Sequence, residues 1–197
     1  MTSSVPFNLR ATSMARLCGV FLVLTYGWSA APARAQVNLA KSTVSATAKQ
    51  LGVPIEGHFK KFTASILFNP AKLAQASAKV DIEVASYDMG APEYNKEVIG
   101  RDWFAAAQFP KATFVSTGIA AAGAGKYNVA GKLTLKGKTV DVTLPITAKT
   151  EGMTQVFDGA LPIKRIAFNI GDGEWKDTSV VADEVVIKFH VVVAPAK

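Results

Sequence analysis

Tyr127-Asn128-Val129-Ala130-Gly131-Lys132-Leu133-Thr134-Leu135-Lys136-Gly137-Lys138-Thr139-Val140-Asp141-Val142-Thr143-Leu144-Pro145-Ile146 is the stretch that decides the fold. Tyr127, Val129, Gly131, Leu133 and Leu135 alternate with Asn128, Ala130, Lys132, Thr134 and Lys136. Beyond the turn residue Gly137, Val140, Val142, Leu144 and Ile146 alternate with Asp141, Thr143, Pro145 and Thr147. A period of two on both sides of a turn, with one wet face, reads as a β-hairpin whose apolar faces match.

The same period extends outward in both directions. Downstream, Phe157, Gly159, Leu161 and Ile163 form one run, and Val185, Ile187, Phe189, Val191 and Val193 form the last. Upstream, Val80, Ile82 and Val84 alternate with Asp81 and Glu83, and Val44–Lys49, Gly57–Phe68 and Phe114–Ile119 complete the set. About eight short strands at hairpin spacing predict an all-β chain, either sandwich or barrel. One stretch, residues 88–109, departs from the period. Pro92 suits a first helical turn, Tyr94 and Val98 share a helix face, and Asp102 is placed to cap a second short helix from Trp103 that Pro110 ends. This predicts a short helical insertion across one end of the barrel.

The charges decide which face is wet. Asp81, Glu83, Lys132, Lys136, Asp141 and Lys188 share the face opposite the apolar series. An outer-membrane barrel turns its apolar face to lipid and keeps a polar lumen, and charges do not sit cheaply against hydrocarbon. The expected barrel is therefore water-soluble with an apolar interior. Eight strands enclose a space that side chains fill or that holds one small ligand. The small inward residues Ala64, Ser116, Gly131 and Gly159 fit either outcome.

The N-terminal stretch reads differently. Arg10 and Arg16 precede an apolar run from Leu17 to Trp28, and Ala33-Arg34-Ala35 follows, with no acidic residue before Glu56. These are the parts of a secretory signal peptide, residues 1–35, cleaved after Ala35. The run is shorter than the ~20 residues of a membrane span, so no transmembrane span is expected after its removal. The expected domain is residues 36–197, in the periplasm. Its loss takes Cys18, the only cysteine, and three of the 22 basic residues, leaving a net charge of +4. The remaining charges, Lys60-Lys61, Lys164-Arg165 and single lysines, are scattered. No basic stripe with interleaved aromatics appears, so nucleic acid is not an expected partner.

Catalytic signatures are lacking. His58 and His190 are the only histidines and have no metal-ligand spacing, no Gly-x-Ser-x-Gly elbow occurs, and no cysteine nucleophile survives. Gly171-Asp172-Gly173 reads as a tight turn.

Several segments, in order, resemble the YceI-like, polyisoprenoid-binding family. They are Gly52-Val53-Pro54-Ile55-Glu56-Gly57-His58-Phe59-Lys60-Lys61-Phe62, Ile66-Leu67-Phe68-Asn69-Pro70 (with Asn69 where the family usually has Asp) and Asp102-Trp103-Phe104. Phe109-Pro110-Lys111-Ala112-Thr113-Phe114-Val115-Ser116-Thr117 and the Val129–Gly137 strand with its Gly-x-Leu-Thr-x-x-Gly signature follow. Phe168-Asn169-Ile170-Gly171-Asp172-Gly173-Glu174-Trp175 and Val180-Val181-Ala182-Asp183-Glu184-Val185 end the series. The resemblance implies an eight-stranded antiparallel lipocalin-like β-barrel, periplasmic in bacteria, that binds an isoprenoid or similar long chain. It implies a binding or carrier protein for a polyprenol or quinone-like lipid, with no cofactor beyond that ligand and no catalytic residue.

Strand phase then assigns the lumen. Phe62, Ile66, Phe68, Ile82 and Phe114 are expected to line it from the first half of the barrel. Tyr127, Val129, Leu133, Leu144, Ile146, Phe157, Leu161 and Phe189 are expected from the second. Trp103, Phe104 and Trp175 are assigned to the barrel mouth, or else to a plug in its end. The alternatives are an enzyme or accessory acting on the lipid through an acid such as Asp102 or Glu174, and a filled barrel acting through a protein partner. A transient membrane or protein contact is the other expected partnership.

Overall fold

Lys136 and Gly137 form the turn of the deciding hairpin, and both have positive φ, +44° and +73°. Two left-handed residues make a type I′ turn, whose twist matches that of the strands it joins. The computed structural model describes Met1 and residues 36–194. The expected signal peptide and its cleavage point lie outside the described residues.

Among the described residues there are eleven strands and one α-helix: β1 (Gln36–Val37), β2 (Thr43–Gln50), β3 (Val53–Phe59), β4 (Phe62–Leu67), β5 (Ser77–Glu83), β6 (Tyr87–Asp88), α1 (Pro92–Val98), β7 (Lys111–Gly123), β8 (Lys126–Leu135), β9 (Lys138–Glu151), β10 (Thr154–Lys164) and β11 (Val181–Ala194). They form one antiparallel sheet in the order β4-β5-β7-β8-β9-β10-β11-β2-β3-β6, with β1 added to β11. β4, at one end of this path, and β3, next to β6 at the other, are consecutive in sequence. The expected strand Gly57–Phe68 is therefore broken at Lys60-Lys61: its first part pairs with β2 and its second with β5. Counted once, this bent strand and β2, β5, β7, β8, β9, β10 and β11 give the eight walls of a lipocalin-like barrel. The bend has a local cause. The Lys60 N–H donates to the Ser86 carbonyl at 3.1 Å and the Lys61 N–H to Ser86 Oγ at 3.0 Å, so a neighbouring turn takes the bonds that a straight strand would give elsewhere.

The β8–β9 register is the one that matched apolar faces require: Leu133 opposes Val140, Gly131 opposes Val142, Val129 opposes Leu144 and Tyr127 opposes Ile146. On the wet face Lys132 reaches Asp141 directly opposite, Nζ to Oδ1 2.8 Å. Lys136 leaves that face, contrary to the expected alternation. As a turn residue it points its ammonium to the carbonyls of Asn169 (2.7 Å) and Asp102 (3.2 Å).

Inward glycines are covered by aromatic rings. A Cβ on Gly57, Gly131 or Gly159 would stand within 2.4–2.5 Å of a ring carbon of Tyr87, Phe114 or Phe189 respectively. These positions close-pack backbone against ring rather than widening the lumen. Gly131 has the least room, because the Val115 carbonyl oxygen also lies 2.7 Å from that Cβ. Gly131→Ala should cost about 1–3 kcal/mol of stability through overpacking, read from urea unfolding.

The insertion between β5 and β7 holds one helix where two were expected. Residues 101–104 and 106–108 are turns, with Ala105 between them left-handed at φ +48°. The Asp102 carbonyl, which a helix would bond to residue 106, instead accepts the N–H groups of Gly171 (2.9 Å) and Asp172 (2.8 Å). A tertiary contact has displaced the local one.

Candidate functional site

Alternation along the barrel walls turns one apolar series inward, and these side chains surround a cavity of about 200 Å³. Val129, Leu133 and Leu135 of β8 line it side by side with Leu144 and Ile146 of the paired strand β9, and Phe157 and Leu161 of β10 and Phe189 and Val191 of β11 continue the lining. Ile66, Phe68, Ile82 and Phe114 line it from the first half of the barrel, and Trp103 and Phe104 join from the insertion. Among the described residues the lining holds no carboxylate, histidine or cysteine; Thr113, Tyr87 and Arg165 are its main polar members.

Three expected lining residues stand back from the space. Phe62, just past the bend, is 5% exposed and packs with Val44, Phe59 and Tyr87. Tyr127 lies behind Phe68, in edge contact at 4.9 Å between ring centroids. Trp175 packs on Trp103 at 5.5 Å. Trp103 and Phe104 border the cavity and pack against its apolar core, with Trp175 behind Trp103. Asp102 and Glu174 do not line the cavity. Sequence reasoning missed Val44, Ala46, Phe59, Tyr87, Val98 and Arg165 among the lining residues. The period of Val44, Ala46 and Ala48 carried the information for β2; nothing periodic marked Tyr87, Val98 or Arg165.

Arg165 ties together the backbone beside these indoles. It is 1% exposed, although Lys164-Arg165 reads as ordinary surface charge. All five N–H groups of its guanidinium donate to backbone carbonyls: Nε to Ala182 (3.1 Å), Nη1 to Ile170 and Gly171 (2.9 Å each), Nη2 to Trp175 and Val181 (2.7 Å each). Its carbon Cζ sits 5.9 Å from the centre of the Trp103 ring, a cation–π contact. Burial pulls its pKa below the usual arginine value, and the nearby Asp183 carboxylate partly counteracts this. An arginine stays protonated through such a shift. The Asp183 carboxylate is itself held by the Ile166 N–H at 3.0 Å.

Tyr87 meets Phe104 edge-on, at 5.6 Å between ring centroids. Its ring covers Gly57 and its hydroxyl donates to the Ala46 carbonyl at 2.9 Å. Burial pushes its pKa up to about 12, against about 10 for an exposed tyrosine. The fold thus favours the neutral phenol, so this contribution is complete below pH ~10 and is lost as pH rises towards ~12. Tyr87→Phe should cost about 1 kcal/mol at neutral pH and flatten the fall in stability between pH 10 and 12, as followed by urea unfolding across that range.

Both histidines sit on the outer wall. His58 is exposed on β3, and His190 Nδ1 lies 2.6 Å from Asp158 Oδ1 across the β10–β11 pair. Neither borders the cavity. Among the described residues no helix is long and apolar enough to cross a membrane.

A model of the YceI-like domain matches residues 36–193. A UPF0312 protein of Shewanella denitrificans is 31% identical over 140 residues, covering 71% of this chain and 73% of that protein. Among solved structures, Burkholderia cenocepacia BcnA is 63% identical with a TM-score of 0.78, over 79% of this chain and 98% of its own. A polyisoprenoid binding domain from Saccharophagus degradans, implicated in plant cell wall breakdown, shares the fold at 16% identity. Its TM-score is 0.65, over 83% of this chain and 99% of that one.

Proposed function

Since the chain belongs to the YceI-like family, we propose that it is a binding or carrier protein that holds an apolar isoprenoid-type lipid, a polyprenol or a quinone-like molecule, inside the barrel and returns it unchanged. The observation that carries this reading is the cavity: apolar on nearly every side, set among the eight walls, and without a carboxylate, histidine or cysteine among the described residues of its lining. Each methylene buried there contributes about 0.8 kcal/mol, and ordering a flexible chain offsets part of that. Such a lining discriminates by size and shape, because it offers few directional contacts.

The polyisoprenoid-binding relative of the same fold supports the ligand class. The composition of residues 1–35 supports export to the periplasm with cleavage after Ala35, and the family match beginning at residue 36 agrees with that boundary. The test is uptake without turnover. Incubated with farnesol and then extracted with organic solvent, the protein should return the alcohol unchanged in mass at about one per chain. A chemically altered product, or no uptake, contradicts the reading.

A further inference from the structure

The cavity is small for the lipid class proposed. An apolar cavity of about 150 Å³ admits a benzene-sized molecule, so about 200 Å³ here has room for only a short isoprenoid. One of its walls differs in kind from the rest. Phe68 follows the end of β4 and stands in a loop, whereas most of the lining belongs to paired strands.

Its ring meets Tyr127 and Phe157 edge-on, at 4.9 and 5.3 Å between centroids, and together the three rings close that part of the cavity. Its backbone is lightly held. Gln155 Nε2 donates to the Phe68 carbonyl at 3.2 Å. The next four residues, Asn69 to Lys72, are all exposed, in a turn in which Asn69 Oδ1 accepts the Ala71 N–H at 2.9 Å. Tyr127 and Phe157, by contrast, are fixed within β8 and β10 and are buried. Few buried contacts and an exposed turn are the marks of a segment that opens locally before the rest of the fold.

Building on the lipid-binding reading, we propose that Phe68 is the specificity-determining residue for chain length: its ring is the movable stop of the cavity, and a tail longer than the closed space is held only when that ring swings away from Tyr127 and Phe157. Short apolar molecules then bind without disturbing it. Longer isoprenoids bind at the expense of the two ring contacts and the Gln155 bond, so affinity rises less with each added unit than burial alone would give.

Geraniol, farnesol and geranylgeraniol provide the test, each displacing N-phenyl-naphthylamine from the full chain and from Phe68→Ala, Phe68→Leu and Phe68→Trp. The readout is the affinity for geranylgeraniol divided by that for geraniol. Phe68→Ala should raise this ratio about tenfold over the unaltered protein, a difference of roughly 1.4 kcal/mol, Phe68→Leu should raise it less, and Phe68→Trp should lower it. Should Phe68→Ala fail to fold by circular dichroism, the opposite changes of the leucine and tryptophan variants still decide. An unchanged ratio in folded variants that retain the dye overturns the stop and leaves lipid binding intact. Failure of every protein to take up the dye and all three alcohols overturns lipid binding, and the stop with it.

Discussion

Arg165→Gln should lower the unfolding free energy by at least about 4 kcal/mol. Glutamine reaches fewer of the five carbonyls that the guanidinium ties together, those of Ile170, Gly171, Trp175, Val181 and Ala182. A buried acceptor left without a donor costs about 1–3 kcal/mol, and water can reach only some of these. The same change removes the cation beside the Trp103 ring and leaves Asp183 without its neighbouring positive charge. With a urea dependence of about 1–3 kcal/mol per molar, the unfolding midpoint should fall by roughly 2 M. Arg165→Lys keeps the charge but offers three donors in place of a planar fork of five, and should lie between the two. A midpoint for Arg165→Gln within experimental error of the unaltered protein would show that the loop from residue 165 to 182 is held by something else.

Val129→Trp should weaken binding of an apolar probe by at least about 100-fold, or roughly 2.7 kcal/mol. Val129 is 3% exposed, lies on β8 opposite Leu144 and borders the cavity. An indole placed there occupies the space a ligand needs. Because about 200 Å³ is open to receive it, the stability cost should stay near the low end of the ~1–3 kcal/mol typical of overpacking. Ala130→Trp, one residue along and on the exposed outer face, should leave probe affinity unchanged. That pair of variants separates the lumen from the outer wall. Equal loss in both, or loss in neither, places the ligand somewhere other than the barrel interior.

What the sequence revealed followed from periodicity. Alternation over residues 127–147 specified the faces, the hairpin and, through Gly137, the position of its turn, and the register in the structure agrees residue by residue. It also turned most of the expected lining residues towards one cavity, from Ile66 to Phe189. Periodicity tells which face a side chain is on, but it is silent about distant contacts. Inward glycines at 131 and 159 read equally as empty space or close packing until the rings of Phe114 and Phe189 are seen over them. The Lys60-Lys61 bend depends on Ser86, and the second helix expected at Trp103 was lost to bonds from Gly171 and Asp172. Arg165 was the least readable residue: in sequence it is one half of a basic pair, and only the convergence of five carbonyls from 170–182 makes a buried cation tolerable there. Tyr127 and Trp175 have the right chemistry for a lining, yet each stands one layer behind it, against Phe68 and Trp103.

The most direct measurement is native mass spectrometry of the full chain purified from an expressing bacterium, followed by organic extraction of the same sample. A co-purifying isoprenoid or other long-chain apolar molecule, at about one per chain and lost in Val129→Trp, is the expected result. A mass equal to the protein alone, with no uptake of added farnesol, would contradict the barrel's role as a lipid container and point to a protein partner.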